Sequence, residues 1–183
     1  MLFPQLNTER FMLGQVEDSD LPFLFEGLSD PTAMPYNGVY FNSLDDTKAQ
    51  LVWYAKNWNE GTGIHWKISS RVEGDFIGVI SVYNYKAEHE KAELGYWILP
   101  RFWRQGVATE VITPVIRYWQ REKGLHRLEA FIEEGNEASI RLLQKSGFQL
   151  EGTMRDCEIK FGKYISLLIY SCITKEQSVS PVV

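Results

Sequence analysis

The chain has few cysteines and no long apolar run, and each absence excludes a class of protein. Cys157 and Cys172 are the only two cysteines among 183 residues, and no metal-ligand spacing is present. Neither a disulfide framework nor a metal site is predicted. The longest apolar runs are strand-length, as in Phe76–Ile80, far short of the ~20 residues that a membrane span requires. Without a charged-then-apolar leader, the expected location is cytoplasmic, with no membrane partner.

Basic residues are also in the minority. The chain carries 19 Lys and Arg against 24 Asp and Glu, a formal net charge of −5. This balance argues against a nucleic-acid-binding surface and favours a cationic partner. Acidic groups at residues 17–20, 45–46 and 133–134 either steer an amine or a basic polypeptide, or are ordinary helix caps and solvated loops. The composition otherwise indicates one globular domain over residues 1–183, with a flexible tail at 178–183.

The order of strand and helix patterns predicts an α+β fold. A mostly antiparallel run of strands passes into strand–helix–strand units, which indicates a mixed central sheet with helices on both faces. Pro114 removes one backbone bond from the third helix and should kink or delay it. Strands are predicted near Arg10–Val16, His65–Ser70, Phe76–Tyr83, Lys91–Leu99, Arg127–Ile132, Gln149–Glu158 and Tyr164–Thr174, and helices near Leu21–Leu28, Leu44–Trp58, Val107–Lys123 and Glu137–Lys145.

An apolar strand, a glycine turn and a helix follow one another between Tyr96 and Glu110. In such a turn the backbone N–H groups of residues 105–109 converge on one spot without intrahelical partners. The helix dipole adds roughly half a positive charge there, and the small residues Gly106 and Ala108 allow phosphate oxygens to approach closely. The segment predicts a pyrophosphate site, although the same pattern serves packing alone in many α/β proteins.

A second segment, Ile132–Gly152, carries a related pattern. A strand ends in a turn at Gly135, Asn136 can cap the short helix that follows, and that helix stops at Gly147. Where this strand and the strand ending at Leu99 diverge, a cleft should open between neighbouring helix N-termini.

Together the two segments resemble the acyl-CoA-binding motifs of the GNAT superfamily of acetyltransferases. The run Gly106-Val107-Ala108 matches the Gly-x-Gly/Ala ending of that family's phosphate loop. The chain is most similar to the RimJ/RimL branch, the N-terminal acetyltransferases of ribosomal proteins and their relatives. This likeness spans nearly the whole chain and includes Thr8–Phe11, Ala92–Trp97, Trp103, Gly147–Phe148 and Glu151–Gly152, while Gly14, Ser166 and Pro114 depart from it.

The resemblance implies a GNAT-type sheet with a splayed central strand pair, acetyl-CoA as co-substrate, and no metal. It places the pantetheine arm in the splay, opened by a strand bulge, with Asn136 bonded to the arm and Ser139 near the sulfur. The arm should pair with the main chain of Trp97, Ile98 and Leu99. The pyrophosphate should lie against the loop residues Arg104, Gln105, Gly106, Val107, Ala108 and Thr109.

The resemblance also suggests how the acetyl group is activated. A main-chain N–H at Trp97 or Ile98, freed by the bulge, would polarise the acetyl carbonyl. Many relatives supply the proton for the departing thiolate from a tyrosine at the position of Leu143, and leucine cannot donate one. Because the RimJ/RimL branch is thought to use a serine, Ser139 is the expected general acid here; alternatively, its hydroxyl bonds back to the helix backbone.

Two carboxylates are candidate bases for the acceptor amine. Glu158 comes first because the same branch carries a carboxylate in this segment, and Glu93 second because it lies on the strand beside the acetyl site. Glu158 could instead pair with Arg155 or Lys160, and Glu93 could pair across a strand.

The acceptor pocket is predicted within an aromatic-rich region around the first two helices. Tyr36 and Tyr40 lie in the non-helical loop 30–42 and are expected to bind the acceptor together with Glu93.

The sequence thus predicts transfer of an acetyl group to a primary amine, in the first place a protein N-terminus, by direct attack in a ternary complex. A covalent route through Cys157 is not favoured, because no histidine lies near it in sequence. The open alternatives are a small amine acceptor (a polyamine, amino acid or aminoglycoside) and a catalytically silent acyl-CoA-binding regulator. The chain is expected to act as a monomer or a homodimer.

Overall fold

A computed structural model describes residues 2–33, 36 and 38–174, and the predicted flexible tail at 178–183 lies outside them. The described part contains one sheet of eight strands in the order β1-β2-β3-β4-β5-β6-β8-β7. The strands are β1 (Leu6–Asn7), β2 (Phe11–Gln15), β3 (Ile64–Ser70), β4 (Phe76–Lys86), β5 (Lys91–Ile98), β6 (Arg127–Glu133), β7 (Gln149–Lys160) and β8 (Lys163–Ile173).

The helices lie where their sequence signals predict them. They are α1 (Leu21–Ser29), α2 (Leu44–Glu60), α3 (Val107–Glu122) and α4 (Glu137–Lys145). The side chain of Ser43 caps α2, and α2 ends at Gly61 in the left-handed conformation. The third helix begins at Val107, the predicted residue, and continues through Pro114, so Pro114 does not delay its start. The α+β prediction is confirmed, and only the short strand β1 was missed.

The helices cover both faces of the sheet. Neighbouring residues of a strand point to opposite faces, so Val79 and Ile80 of β4 belong to different apolar clusters. Val79 packs with Leu24 of α1 and Tyr54 of α2. Ile80 belongs to the larger cluster, which includes the buried stripe of α3: Val111, Ile112, Val115, Ile116 and Trp119.

The middle of the sheet is split. Strands β5 and β6 are the only parallel neighbours in the described part, and they pair at just three positions: Lys91 with Arg127, Ala92 with Leu128, and Glu93 with Glu129. Beyond Glu93 and Glu129 the two strands part. The helix α3 connects them in sequence, and its first turn therefore lies at the open end of this gap. The predicted splay of the central strand pair is confirmed.

Candidate active site

A cleft of about 1040 Å³ opens where β5 and β6 separate. It reaches both faces of the sheet, because its walls include Trp53 of α2 and Asn136 at the start of α4. Most of the predicted site residues line it, namely Tyr36, Glu93, Trp97, Ile98, Arg104, Gly106, Val107, Ala108, Thr109, Asn136, Ser139 and Glu158. The predicted residues Tyr40, Leu99 and Gln105 do not line this cleft.

The N-terminus of α3 opens into the cleft without a capping side chain. Its N-cap is Gly106, at φ 76°, and no side chain of the described residues caps its first turn, whereas Ser43 caps α2 and Asn136 caps α4. The preceding Arg104 is also left-handed, at φ 61°. The first N–H groups of α3 therefore remain available to an anion, and the helix dipole favours one there.

Arg10 holds this turn from both sides. Its guanidinium donates from Nη1 to the Gln105 carbonyl at 3.0 Å and from Nε to Glu110 Oε2 at 2.7 Å. Its backbone N–H donates to Glu110 Oε1 at 2.9 Å. Because Gln105 and Glu110 bracket the first turn of α3, Arg10 fixes the shape of the anion site. Arg10 is part of the Thr8–Phe11 likeness, but no local sequence pattern predicts its contact with this turn.

The main chain of β5 faces the gap at alternate residues only. Leu99 N–H donates to the Ile77 carbonyl at 2.9 Å, and the Leu99 carbonyl accepts from Phe102 at 2.9 Å. By the alternation of an antiparallel ladder, Trp97 also directs its N–H and carbonyl toward β4, whereas Tyr96 and Ile98 direct theirs toward the gap. Of the three main chains expected to serve a ligand, that of Ile98 is therefore the one that faces the gap, and ligand binding by any of them stays a prediction.

The gap is not opened by a bulge at Trp97 or Ile98. Pairing of β4 with β5 is unbroken from Gly78 opposite Ile98 to Tyr83 opposite Glu93. The register shift lies further along, between Tyr83 and Lys86. The N–H of Ile98 is thus freed because β6 diverges, which corrects the predicted cause.

An indole occupies part of this gap. Trp103 Nε1 donates to the Ile98 carbonyl at 2.6 Å, and the Trp103 side chain lines the cleft. The Ile98 carbonyl consequently already has a donor. A ligand amide that pairs with Ile98 can use the N–H directly, and reaches the carbonyl only if the indole moves.

Ser139 is held by two contacts at the start of α4. The Asn136 side chain accepts from Ser139 N–H at 3.2 Å, as its predicted capping role requires. The Ser139 hydroxyl lies 2.8 Å from the hydroxyl of Tyr96. Burial raises the pKa of Tyr96, with the Ser139 bond opposing that shift. Leu143, where many relatives were expected to carry an acid, is fully buried in the core.

Tyr96 was missed as a site residue although it lies inside a recognised motif. The direction of its side chain could be predicted from strand alternation, which places Tyr96 on the face of the sheet opposite Trp97. Its contact with Ser139 joins residues 43 positions apart in sequence and depends on how α4 packs.

The two candidate bases approach the cleft from different strands. Glu158 follows a register shift of β7 between Met154 and Glu158, where the Asp156 N–H donates to the Ser166 hydroxyl at 3.1 Å. Lys160 lies 2.6 Å from Glu133, and within the described part of the chain Glu158 forms no ion pair. Glu93 accepts from Asn84 Nδ2 at 3.0 Å.

Aromatic rings form the cleft wall beside Glu93. The rings of Trp53 and Tyr83 meet edge to face at 5.5 Å. Burial and the nearby Glu93 raise the pKa of Tyr83 to about 12, so Tyr83 stays neutral. Burial lowers the pKa of His65 to about 3, and its Nδ1 lies 2.7 Å from the Ser81 hydroxyl. His65 is therefore a neutral, packed residue rather than a base.

Two further properties concern the described residues only. No group of three or more His, Cys, Asp or Glu side chains there is arranged to hold a metal ion. None of the helices in that part is long and apolar enough to cross a membrane.

Comparison with known sequences identifies the family. Residues 10–149 match the model of the "Acetyltransferase (GNAT) domain". A Bacillus subtilis relative, "Uncharacterized N-acetyltransferase YoaA", is 35% identical over 173 residues, which are 94% of this chain and 98% of that protein.

Solved structures share the fold. RimL, the ribosomal L7/L12 alpha-N-protein acetyltransferase, has in its apo crystal form a TM-score of 0.85 at 19% identity, covering 95% of this chain and 96% of its own. Spermidine N-acetyltransferase from Vibrio cholerae, in complex with CoA and spermine, has a TM-score of 0.78 at 20% identity, covering 89% and 95% of the two chains. At such identities the likeness establishes the fold alone.

Proposed function

Because the chain belongs to the GNAT family of acetyltransferases, we propose that it transfers an acetyl group from acetyl-CoA to a primary amine, in the first place the N-terminal α-amine of a polypeptide. The observation that carries this proposal is the uncapped N-terminus of α3, which opens into a cleft that passes through the sheet. An anionic carrier can be gripped there while its acyl end reaches the other face.

The residues present fit the diphosphate and arm of acetyl-CoA. A Cβ at Gly106 would come near only the Arg10 guanidinium, at 3.4 Å, so the main chain of the turn is open to phosphate oxygens. The N–H groups at the start of α3, with Arg104, would hold the diphosphate. The arm would lie between β5 and β6, against Ile98 and Asn136.

The polarising donors come from the backbone. The N–H groups of Tyr96 and Ile98 point into the gap, and we assign polarisation of the acetyl carbonyl to them. Ser139 is the proposed acid for the departing sulfur. Direct attack by the amine then needs no covalent enzyme intermediate.

An α-amine acceptor places modest demands on the base. Its pKa is ~7.7–8.0, against ~10.4 for a lysine side chain, so a carboxylate at the cleft wall can complete its deprotonation. The RimL neighbour is described as an alpha-N-protein acetyltransferase, which also supports this acceptor.

A small polyamine is the second candidate acceptor. The Vibrio cholerae neighbour is a spermidine N-acetyltransferase, and in our chain both Glu93 and Glu158 line the cleft, which suits a polycation. An assay of CoA release over a panel of peptides and small amines separates the two. Release with polyamines and not with peptides excludes the N-terminal acceptor, and tight binding without any release indicates a silent regulator.

Acetyl-CoA should stabilise the folded protein. At 100 times its Kd, a ligand that binds only the folded state adds ~2.7 kcal/mol to the free energy of unfolding. We expect a corresponding rise in Tm in a thermal-shift measurement. Pantetheine lacks the diphosphate and should raise Tm much less. An unchanged Tm with acetyl-CoA would contradict the assignment of the site.

Ser139→Ala should lower kcat by ~10–100-fold with little change in acetyl-CoA affinity, because only the acid is removed. Steady-state kinetics and calorimetric titration measure the two effects. Ser146→Ala is the matched control: that hydroxyl bonds the Leu142 carbonyl at 2.8 Å, at the other end of α4. Unchanged turnover in Ser139→Ala would remove Ser139 from the mechanism.

A further inference from the structure

The Tyr96 hydroxyl lies in direct contact with the proposed acid, inside the same cleft. We propose that Tyr96 acts through Ser139 as the proton source for the departing thiolate. This inference rests on the proposed function and deepens it, because it assigns the origin of the proton that Ser139 delivers.

The direction of the Ser139 hydroxyl supports the relay. Serine and threonine hydroxyls in helices often bond back to a carbonyl one turn earlier. Ser29 does so, donating to the Phe25 carbonyl at 2.6 Å, and Ser146 does so toward Leu142. Ser139 instead meets the Tyr96 hydroxyl at 2.8 Å. With Tyr96 donating to Oγ, the hydrogen of Ser139 is left to point into the cleft.

The relative acidities of the thiol, the phenol and the serine hydroxyl also support the relay. A thiol such as that of cysteine has a pKa of ~8.5 and a tyrosine ~10, whereas an aliphatic hydroxyl is a far weaker acid than either. Ser139 acting alone would be left as an alkoxide. With Tyr96 behind it, the negative charge passes to a phenolate, which is much less costly. Burial raises the pKa of Tyr96, so its proton stays in place before the reaction. The same burial makes its phenolate costlier than one in water, although a serine alkoxide would be costlier still.

The proton transfers balance as follows. Ser139 gives its hydroxyl proton to the sulfur as the bond between sulfur and the carbonyl carbon breaks. Tyr96 gives its proton to Ser139 Oγ in the same step, so the serine ends neutral and Tyr96 ends as a phenolate. Tyr96 regains a proton from water in the cleft after the products leave. No oxidant or further reactant is needed.

Regular elements of the fold hold Tyr96 and Ser139 next to each other. Tyr96 lies opposite Ile80 in the unbroken part of the β4–β5 ladder, and its ring packs against the larger core cluster. Ser139 is fixed by the Asn136 cap at the first turn of α4. Both partners are thus positioned by regular elements rather than by loops, which is what a proton relay requires.

A double-mutant cycle tests the relay. Tyr96→Phe keeps the ring and removes only the hydroxyl, and we expect kcat to fall on the order of 10-fold. Because the pair acts as a unit, Tyr96→Phe combined with Ser139→Ala should be no slower than Ser139→Ala alone. Tyr85→Phe is the matched control: its hydroxyl donates to the Lys123 carbonyl at 3.0 Å, and Tyr85 does not line the cleft.

A second readout does not depend on turnover. The pKa of the thiol of bound CoA can be measured from thiolate absorbance, with the CoA-free protein as blank. A donor pair that stabilises the thiolate lowers this pKa, so Tyr96→Phe and Ser139→Ala should each raise it, by roughly half a unit or more. Tyr85→Phe should leave it unchanged.

The outcomes separate the relay from the function. Suppose that acetyl-CoA binds and amines are acetylated. If the kcat losses of Tyr96→Phe and Ser139→Ala then multiply in the double variant, or if the pKa of the bound CoA thiol in Tyr96→Phe equals that in the wild type, the relay is wrong and the function stands. If Tyr85→Phe is as slow as Tyr96→Phe, the loss is structural and the relay is again wrong. If CoA does not bind at all, both the function and the relay are overturned.

Discussion

Glu158→Gln is expected to lower kcat by ~100-fold or more, because removal of a general base commonly costs 10²–10⁴-fold. The amide keeps the shape of the side chain and cannot accept a proton. The neutral form of an α-amine grows as pH rises through ~8, so the deficit should shrink at high pH. A pH series of kcat for the variant and the wild type measures both effects.

Glu93→Gln is the comparison that assigns the base. Glu93 also lines the cleft, but its carboxylate is bonded to Asn84 and lies near Tyr83, so we expect a smaller loss. A larger loss in Glu93→Gln than in Glu158→Gln would transfer the role to Glu93. Full activity in both variants would refute a carboxylate base altogether.

Gly106→Val should weaken acetyl-CoA binding by ~10–100-fold. Gly106 has φ 76°, a left-handed conformation that costs a β-branched residue on the order of 1–2 kcal/mol or more. To relieve this strain, the turn must shift, and the N–H groups at the start of α3 then lose their common direction. The added side chain would also press on the Arg10 guanidinium. Calorimetric titration with acetyl-CoA measures the loss.

Gly124→Val provides the matched control for this change. Gly124 lies just past the other end of α3, at φ 62°, with no atom within 4 Å of an added Cβ. The same backbone strain arises there, so the two variants should lose similar amounts of folding stability. Only Gly106→Val should lose affinity. Wild-type affinity in Gly106→Val would count against the placement of the diphosphate.

Local signals in the sequence were enough to predict the helices, most of the strands and the glycine turn before α3. The Asn136 cap, the turn glycine Gly106 and the apolar stripe of α3 each act within a few residues, so their spacing alone predicts the structure. The strand–helix–strand unit predicts β5 and β6 as parallel neighbours, whereas their splay was predicted from the resemblance to the GNAT superfamily.

The remaining parts of the site depend on distant contacts that spacing does not encode. Arg10 meets Glu110 across 100 residues of sequence, and Tyr96 meets Ser139 across a helix packing interface. The direction of the β5 main chain depends on its register with β4, and this register turns the main chains of Trp97 and Leu99 toward β4 rather than toward the gap. Tyr40 was predicted in the pocket because it lies in the non-helical loop 30–42; its neighbours Gly38 and Val39 line the cleft, whereas Tyr40 does not.

The split sheet also separates the residues proposed to bind the acetyl carrier from most of those proposed to bind the acceptor. The groups proposed to grip the carrier come from the start of α3, the start of α4 and the edge of β5. The residues proposed to meet the acceptor come from the loop that follows α1, from α2, and from the two candidate bases, Glu158 on β7 past its register shift and Glu93 on β5. Substitutions in the second set, apart from the base itself, can therefore change acceptor preference while the first set, and with it the donor, stays constant. A protein with this arrangement can acquire new acceptors while it keeps the same acetyl donor and the same transfer reaction.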